Sequence, residues 1–329
     1  MKNYNILNIL SQSKSVCLIS HIEPDADALS SMIVLREFIK KHFKINKVDI
    51  FAETQSLPNN LKQILGTVKL NKKTSNYHTA IMIDCPNTDR LGCYKNLYEN
   101  AKLKFSIDHH SSNLKINKYD IVELCSSTCE IIYSILKYFK FPISKSNQAK
   151  LYAGLITDTG NFSFGNITDK TFKIASEFNS NINRNEIYKA FFNNNSLKNL
   201  QLLSLAIQNI TSFDHGKIII SHISKEENAN YKANFQDYVG IINKIANINT
   251  SLLTCLIETR DDKYYVSMRS KNNLDISSIA KKQGGGGHKC AAAFISSDSL
   301  KEIEQFILIE FRKILQKYSN NNYQSIKLY

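Results

Sequence analysis

Four short apolar runs, SVCLIS (Ser15–Ser20), KVDIFAE (Lys47–Glu53), TAIMID (Thr79–Asp84) and LKFSI (Leu103–Ile107), alternate with helix-patterned segments. This alternation narrows the fold more than any other feature. A helical pattern over Ala28–Lys41 follows the first run, and PNNLKQIL follows the second. YDIVEL (Tyr119–Leu124) reads as a fifth strand before a helix over Ser127–Tyr138. Strands separated by helices return in the same direction, which predicts an α/β fold with a mostly parallel sheet flanked by helices on both faces.

From Asn147 the pattern changes. Asn147–Thr157, Asp169–Asn179, Arg184–Phe191 and Leu197–Ser212 read as helices with Asn- and Ser-rich joints. Strand patterns return at Lys217–Ile223, Ser251–Thr259 and Lys263–Ser270. A helix over Ile276–Lys282, four glycines, a strand over Ala291–Ile295 and a last helix from Asp298 complete the chain, with a frayed tail, YSNNNYQSIKLY. The expected layout is a first domain over 1–190, a helical linker over 191–215, and a second, smaller α/β domain over 216–329.

The chain has 329 residues, enough for two cores of ordinary size. No apolar run approaches the ~20 residues of a membrane span, and the opening MKNYNILNILSQSKS does not read as a secretory signal. Seven cysteines, an odd number without a framework, point to a reducing cytoplasm and read as small buried or half-buried apolar residues. Cys125 and Cys129 lie a helical turn apart but have no second pair to complete a zinc site. Net charge is +13, yet the lysines are dispersed with no run of five, so charge alone does not assign a polyanionic partner.

Chemistry concentrates where the elements end. HIEPDAD places His21, Asp25 and Asp27 just after the first strand, Asp84 ends the third, and Asp108-His109-His110 follows the fourth. Asp158 ends the apolar helix AKLYAGLI. In a parallel sheet the carboxyl ends of the strands share one rim, where such folds bind ligands. Singly, Asp25 or Asp27 reads as a helix cap, Asp84 as a turn former, His109 as a core histidine and Asp158 as a helix stop. Together, several carboxylates would repel and hold their protons unless a cation neutralised them. Oxygen donors mixed with imidazole suit manganese or a similar divalent ion, and the set is large enough for two ions sharing a carboxylate. Such a pair polarises a phosphoryl group and generates hydroxide near neutral pH.

HIEPDADALSS, Asp84, DHH and GLITDTGNF resemble, in order and spacing, the motifs of the DHH phosphoesterase family. SMRS (Ser267–Ser270) and GGGGHKCAAAF (Gly284–Phe294) resemble its DHH-associated C-terminal domain. Family members include nano-RNA hydrolases that also act as phosphoadenosine-phosphate phosphatases, and cyclic-dinucleotide phosphodiesterases. The resemblance implies that His21, Asp25 and Asp84 hold one Mn2+, and that Asp27, Asp84, His109 and Asp158 hold a second, with Asp84 as bridge. Mg2+ or Co2+ would suit the same donors. His110 is then left for the phosphate, as a charge stabiliser or proton donor. Arg269, Gly284, Gly285, Gly286, Gly287 and His288 are implied as a substrate grip, the glycines closing backbone N–H groups on an anion when two domains close on a cleft. Ser30 and Ala293 stand where the family commonly has glycine.

The expected function is a manganese-dependent phosphodiesterase that cleaves short oligonucleotides or dinucleotides such as pApA to nucleoside 5′-monophosphates by attack of hydroxide on phosphorus. Cyclic di-AMP and phosphoadenosine phosphate are alternative substrates of the same site. A soluble pyrophosphatase and a non-catalytic nucleotide-binding module are the competing classes; the first lacks a GGGGH-type loop, and the second predicts a missing ligand. No stable protein partner is implied, and oligomeric state, a homodimer included, stays open.

Overall fold

A computed structural model describes residues 4–54, 56–72, 75–231, 233, 235–260 and 263–326, leaving aside the side chains of 5–6, 235–236, 288 and 320–326. The chain divides into two compact units, Met1–Asn194 and Asn195–Tyr329.

In the first unit the elements run β1 (Ser15–Ile19), α1 (Ala26–His42), β2 (Lys47–Phe51), α2 (Asn59–Leu65), β3 (Thr79–Ile83), α3 (Lys95–Glu99), β4 (Leu103–Asp108) and β5 (Ile121–Val122). The helices α4 (Thr128–Tyr138), α5 (Lys145–Asp158), α6 (Asp169–Asn179) and α7 (Arg184–Phe192) follow. The sheet order is β2-β1-β3-β4-β5, and every pairing is parallel. Every residue of the central strand β3 is buried, as expected of a strand covered on both faces. Alternation sends Leu18, Ile81 and Ile83 into the core beneath α1, α4 and α5, and Cys17, Ile19, Ala80 and Met82 into a second core with Tyr94 and Tyr98. The Asp25 side chain caps α1 through the Ala28 N–H, and Ser127 caps α4 through the Glu130 N–H.

The second unit contains α8 (Leu197–Gln208), β6 (Thr211–Phe213), β7 (Ile218–Ile223), α9 (Lys225–Tyr231), α10 (Phe235–Tyr238), α11 (Ile241–Ala246), β8 (Leu253–Arg260) and β9 (Lys263–Ser270). It ends with α12 (Ser277–Lys282), β10 (Gly286–His288), β11 (Ala291–Ser296) and α13 (Leu300–Ile326). Its sheet, β10-β11-β9-β8-β7-β6, is antiparallel except for the β7–β8 pair.

Several expectations change here. Residues 191–215, read as a linker, are divided between the units: α8 packs Leu202 and Ala206 into a core with Ile219, Ile241 and Leu256 of the second. Its helix ends at Gln208 because the chain turns into β6, paired with β7. The tail expected to fray continues the α13 backbone to Ile326, no glycine or proline interrupting it; residues 327–329 lie outside the described residues. Cys93 is exposed rather than half-buried, because it follows the surface turn at Gly92.

Candidate metal centre

The carboxyl ends of β1, β3 and β4 meet on one rim, and local bonds tie them together. The Ser20 hydroxyl donates to Ile83 O at 2.9 Å, and the Asp84 N–H to Ile107 O at 3.0 Å. Asp84 itself has φ of +53°, in the left-handed region that non-glycine residues seldom occupy and that recurs at functional sites. That turn takes its carboxylate out of the strand line. The Thr128 hydroxyl then holds Asp84 Oδ1 at 2.9 Å.

Asp27 is fully buried and accepts from the first two N–H groups of α4, Thr128 at 2.7 Å and Cys129 at 2.8 Å. An anion at a helix N-terminus is favourable, and here it locks the start of α1 to that of α4. Helix α5 must pass very close to Asp27. A Cβ on Gly154 would lie 2.4 Å from Cys129 Sγ and 2.9 Å from Asp27 Oδ1, so only glycine fits. Asp158, four residues on and therefore on the same face, is thereby delivered to the rim.

The six residues expected to bind metal converge. His21, Asp25 and Asp84 offer donor atoms within 4.8 Å of one another, as do Asp27, His109 and Asp158, and also Asp84, His109 and His110. Asp84 faces both imidazoles: Oδ2 is 3.9 Å from His21 Nε2, and Oδ1 is 3.5 Å from His109 Nε2. His109 Nε2 is also 3.2 Å from Asp158 Oδ2.

The donor set suits divalent cations. His21 Nδ1 lies 2.9 Å from Ile22 O and His109 Nδ1 3.2 Å from Cys125 O. A carbonyl only accepts, so each Nδ1 carries the proton and each Nε2 turns a lone pair to the carboxylates, the arrangement metal-binding histidines use. Asp158 Oδ2 is buried without a hydrogen bond among the described residues. Burial and the neighbouring Asp84 and Asp25 charges push the Asp158 carboxyl up to about 8. Burial, then the charges of Asp84, Asp158 and Asp25, raise Asp27, and burial followed by Asp25 raises Asp84 despite the three histidines. Three carboxyls that resist ionisation are what cations would relieve.

His110 is held differently. Its Nδ1 is 2.7 Å from Asp108 Oδ1, and Asn113 donates to Asp108 Oδ2 at 2.9 Å. Burial works against protonation of His110, but the Asp108 hydrogen bond and the Asp84, Asp108 and Asp158 charges raise its pKa. Asp108, fully buried, received no role from the sequence; a carboxylate two residues before His110 at a strand end was the available signal. Thr128 and the buried Glu130, which accepts from Ser126 and Thr171, were likewise unforeseen. Beside these histidines lies a cavity of about 450 Å³ lined by His109, His110, Leu124, Cys125, Asn166 and Thr168.

In the second unit, Arg269 of β9, Ala291 of β11 and His288 of β10 share one row across three strands. The Arg269 Nε donates to Asn243 Oδ1 at 2.8 Å and its Nη1 to Met268 O at 2.8 Å. The His288 side chain lies outside the described residues. The glycine tract, expected to close its N–H groups on an anion, runs into an edge strand from Gly286. A Cβ on Gly285 would meet Ala293 O at 2.3 Å, and one on Gly287 would meet Ala291 O at 2.4 Å, whereas Gly284 and Gly286 face open space. Close packing against β11 therefore accounts for two of the four glycines.

The comparisons agree with this architecture. The DHH family N-terminal domain matches residues 15–157 and the DHHA1 domain residues 215–317. The bifunctional oligoribonuclease and PAP phosphatase NrnA of Bacillus subtilis (strain 168) is 25% identical, covering 87% of this chain and 91% of its own. The protein of that name from Mycoplasma genitalium is 24% identical over 94% of this chain and 96% of its own. A crystal structure of an exopolyphosphatase-related protein from Bacteroides fragilis shares the fold, with a TM-score of 0.83, 22% identity and 96% coverage of both chains. The chain belongs to the DHH family, carrying a DHH domain followed by a DHHA1 domain, and is a metal-dependent phosphoesterase.

Proposed function

We propose that this protein is a manganese-dependent phosphodiesterase that hydrolyses short oligonucleotides and dinucleotides such as pApA to nucleoside 5′-monophosphates. The observation that carries this reading is the position of Asp84, its two oxygens turned to His21 and His109 and each imidazole presenting Nε2. By this reading His21, Asp25 and Asp84 hold one ion, and Asp27, Asp84, His109 and Asp158 the other. When bound, divalent cations supply neutralisation of phosphoryl charge and acidification of water. The relatives named as oligoribonuclease and PAP phosphatase support the substrate class.

The chain's own groups do the rest. His110, whose hold on a proton the Asp108 hydrogen bond strengthens, faces the phosphate and gives its proton to the departing oxygen, the role of a general acid. Asn113 steadies Asp108, and Thr128 steadies Asp84. Arg269, with its planar fork of donors, and the Gly284–Gly287 tract with His288 are the substrate grip in this reading, suited to phosphate. Seven free cysteines support a cytoplasmic setting. Cyclic di-AMP, through a phosphodiester, and phosphoadenosine phosphate, through a phosphomonoester, present a phosphoryl group to the same ions and are the alternative substrates.

The test is a side-by-side rate measurement with manganese on pApA, cyclic di-AMP, phosphoadenosine phosphate and a longer RNA. Preference for pApA supports the proposal. Equal rates on long and short chains overturn the short-substrate assignment.

A further inference from the structure

A second cavity, of about 340 Å³, lies in the first unit between α5, the turn after it and α7, lined by Tyr152, Ile156, Asn161, Phe162, Arg184 and Tyr188 along with Asn185. It does not belong to the metal centre. Tyr152 and Ile156 project from α5 roughly 200–240° around the helix from Asp158. A helix about 10–12 Å across, side chains included, therefore separates this cavity from the rim.

Its walls are aromatic and its open side is cationic. Phe162 is fixed between Tyr152, centroids 6.5 Å apart, and Phe172, stacked at 5.5 Å. Tyr188 is backed by Phe192, stacked at 5.6 Å. The Arg184 side chain is exposed and, among the described residues, makes no hydrogen bond or ion pair; the same holds for the side chains of Asn161 and Asn185. Burial raises the Tyr152 phenol pKa while the nearby Arg184 charge opposes the rise, so that charge acts on the cavity floor. Flat rings take a nucleobase, amides with both donor and acceptor read its edge, and an uncommitted guanidinium takes a phosphate. The volume is at the low end of small-molecule sites, about 300–1,000 Å³, which favours a single nucleotide over a chain.

We propose that this cavity is a second nucleotide site, binding a free nucleoside 5′-monophosphate on the face of α5 opposite the metal centre. The choice of an adenine nucleotide rests on the function proposed above; the cavity chemistry does not.

The experiment is equilibrium dialysis of labelled AMP against the intact, manganese-loaded protein, with and without an excess of a non-hydrolysable pApA analogue carrying a methylene group in place of the scissile ester oxygen, for wild type, Arg184→Ala, Tyr188→Ala and Tyr188→Phe. The expected result is an AMP equivalent that the analogue does not displace. It weakens at least about tenfold in Arg184→Ala and Tyr188→Ala, as loss of a stacking platform does, and persists in Tyr188→Phe. Dinucleotide turnover, measured separately on pApA without added AMP, stays within about twofold of wild type. Two results overturn the proposal: no analogue-resistant AMP in wild type, or one unchanged in both alanine variants. If the protein fails to hydrolyse pApA, the function falls, but the analogue-resistant equivalent and its loss in Arg184→Ala still decide the site.

Discussion

Asp108 Oδ1 lies 2.7 Å from His110 Nδ1, and this buried carboxylate, two residues earlier on the same strand end, sets the direction in which the imidazole faces. Asp108→Asn keeps the shape and removes the charge. The expected result is a fall in kcat of roughly 10–100-fold, in the range of an acid–base contribution, with KM and bound metal unchanged. Steady-state kinetics paired with elemental analysis read the two separately. Loss of metal in this variant would assign Asp108 to the metal shell instead.

The glycine tract separates packing from function. Gly287 has φ of +141° and no room for a Cβ, whereas Gly286 faces open space. Gly287→Ala is expected to cost about 1–3 kcal/mol, the scale of a strained backbone site. Gly286→Ala stays within about 0.5 kcal/mol of wild type and raises KM if the tract holds a phosphate. Thermal denaturation followed by kinetics checks both; equal stability losses would contradict the packing account.

Glu258 gives a pH dependence of known sign. It is 5% exposed, and burial pushes its carboxyl from 4.5 to about 7 against the pull of Arg260, 3.2 Å away. The folded state therefore holds this proton more tightly than the unfolded chain, so its contribution is fully present below about 4.5 and lost as pH rises to about 7. Glu258→Gln removes that loss. The variant should match wild type near pH 4 and exceed it at pH 8 by up to about 3 kcal/mol, because a tenfold difference in proton affinity between the folded and unfolded chain is worth about 1.4 kcal/mol. Identical pH slopes would show that the carboxyl is not strained by burial.

How far the sequence can be read follows from what each residue signals. Strand ends were legible because parallel strands are continuous apolar runs, and TAIMID stops at Asp84 where the run stops. The convergence of His21, Asp27, Asp84 and His109 followed from strand direction alone. Asp108 was visible as a member of its cluster, but its role was not, because its work is to hold a neighbour; Glu130 and Thr128 were hidden because a polar residue in a helix gives no sign of being buried. Helices α9, α10 and α11, of seven, four and six residues, were missed because they are too short for a 3.6-residue period to stand out. Strand β10 was missed because glycines suggest a loop, and only the partner strand β11 reveals that Gly285 and Gly287 are there for lack of space.

Everything turns on Asp84 joining two cation sites. The most direct measurement is divalent metal per chain, by elemental analysis after reconstitution with manganese, for wild type and Asp84→Asn, with pApA turnover recorded on the same samples. The account predicts two ions and hydrolysis in wild type, and loss of bound metal with at least about a thousandfold loss of rate in the variant, some 4 kcal/mol at about 1.36 kcal/mol per tenfold. A wild-type chain that binds no manganese, or a variant that keeps both ions and full turnover, would contradict it.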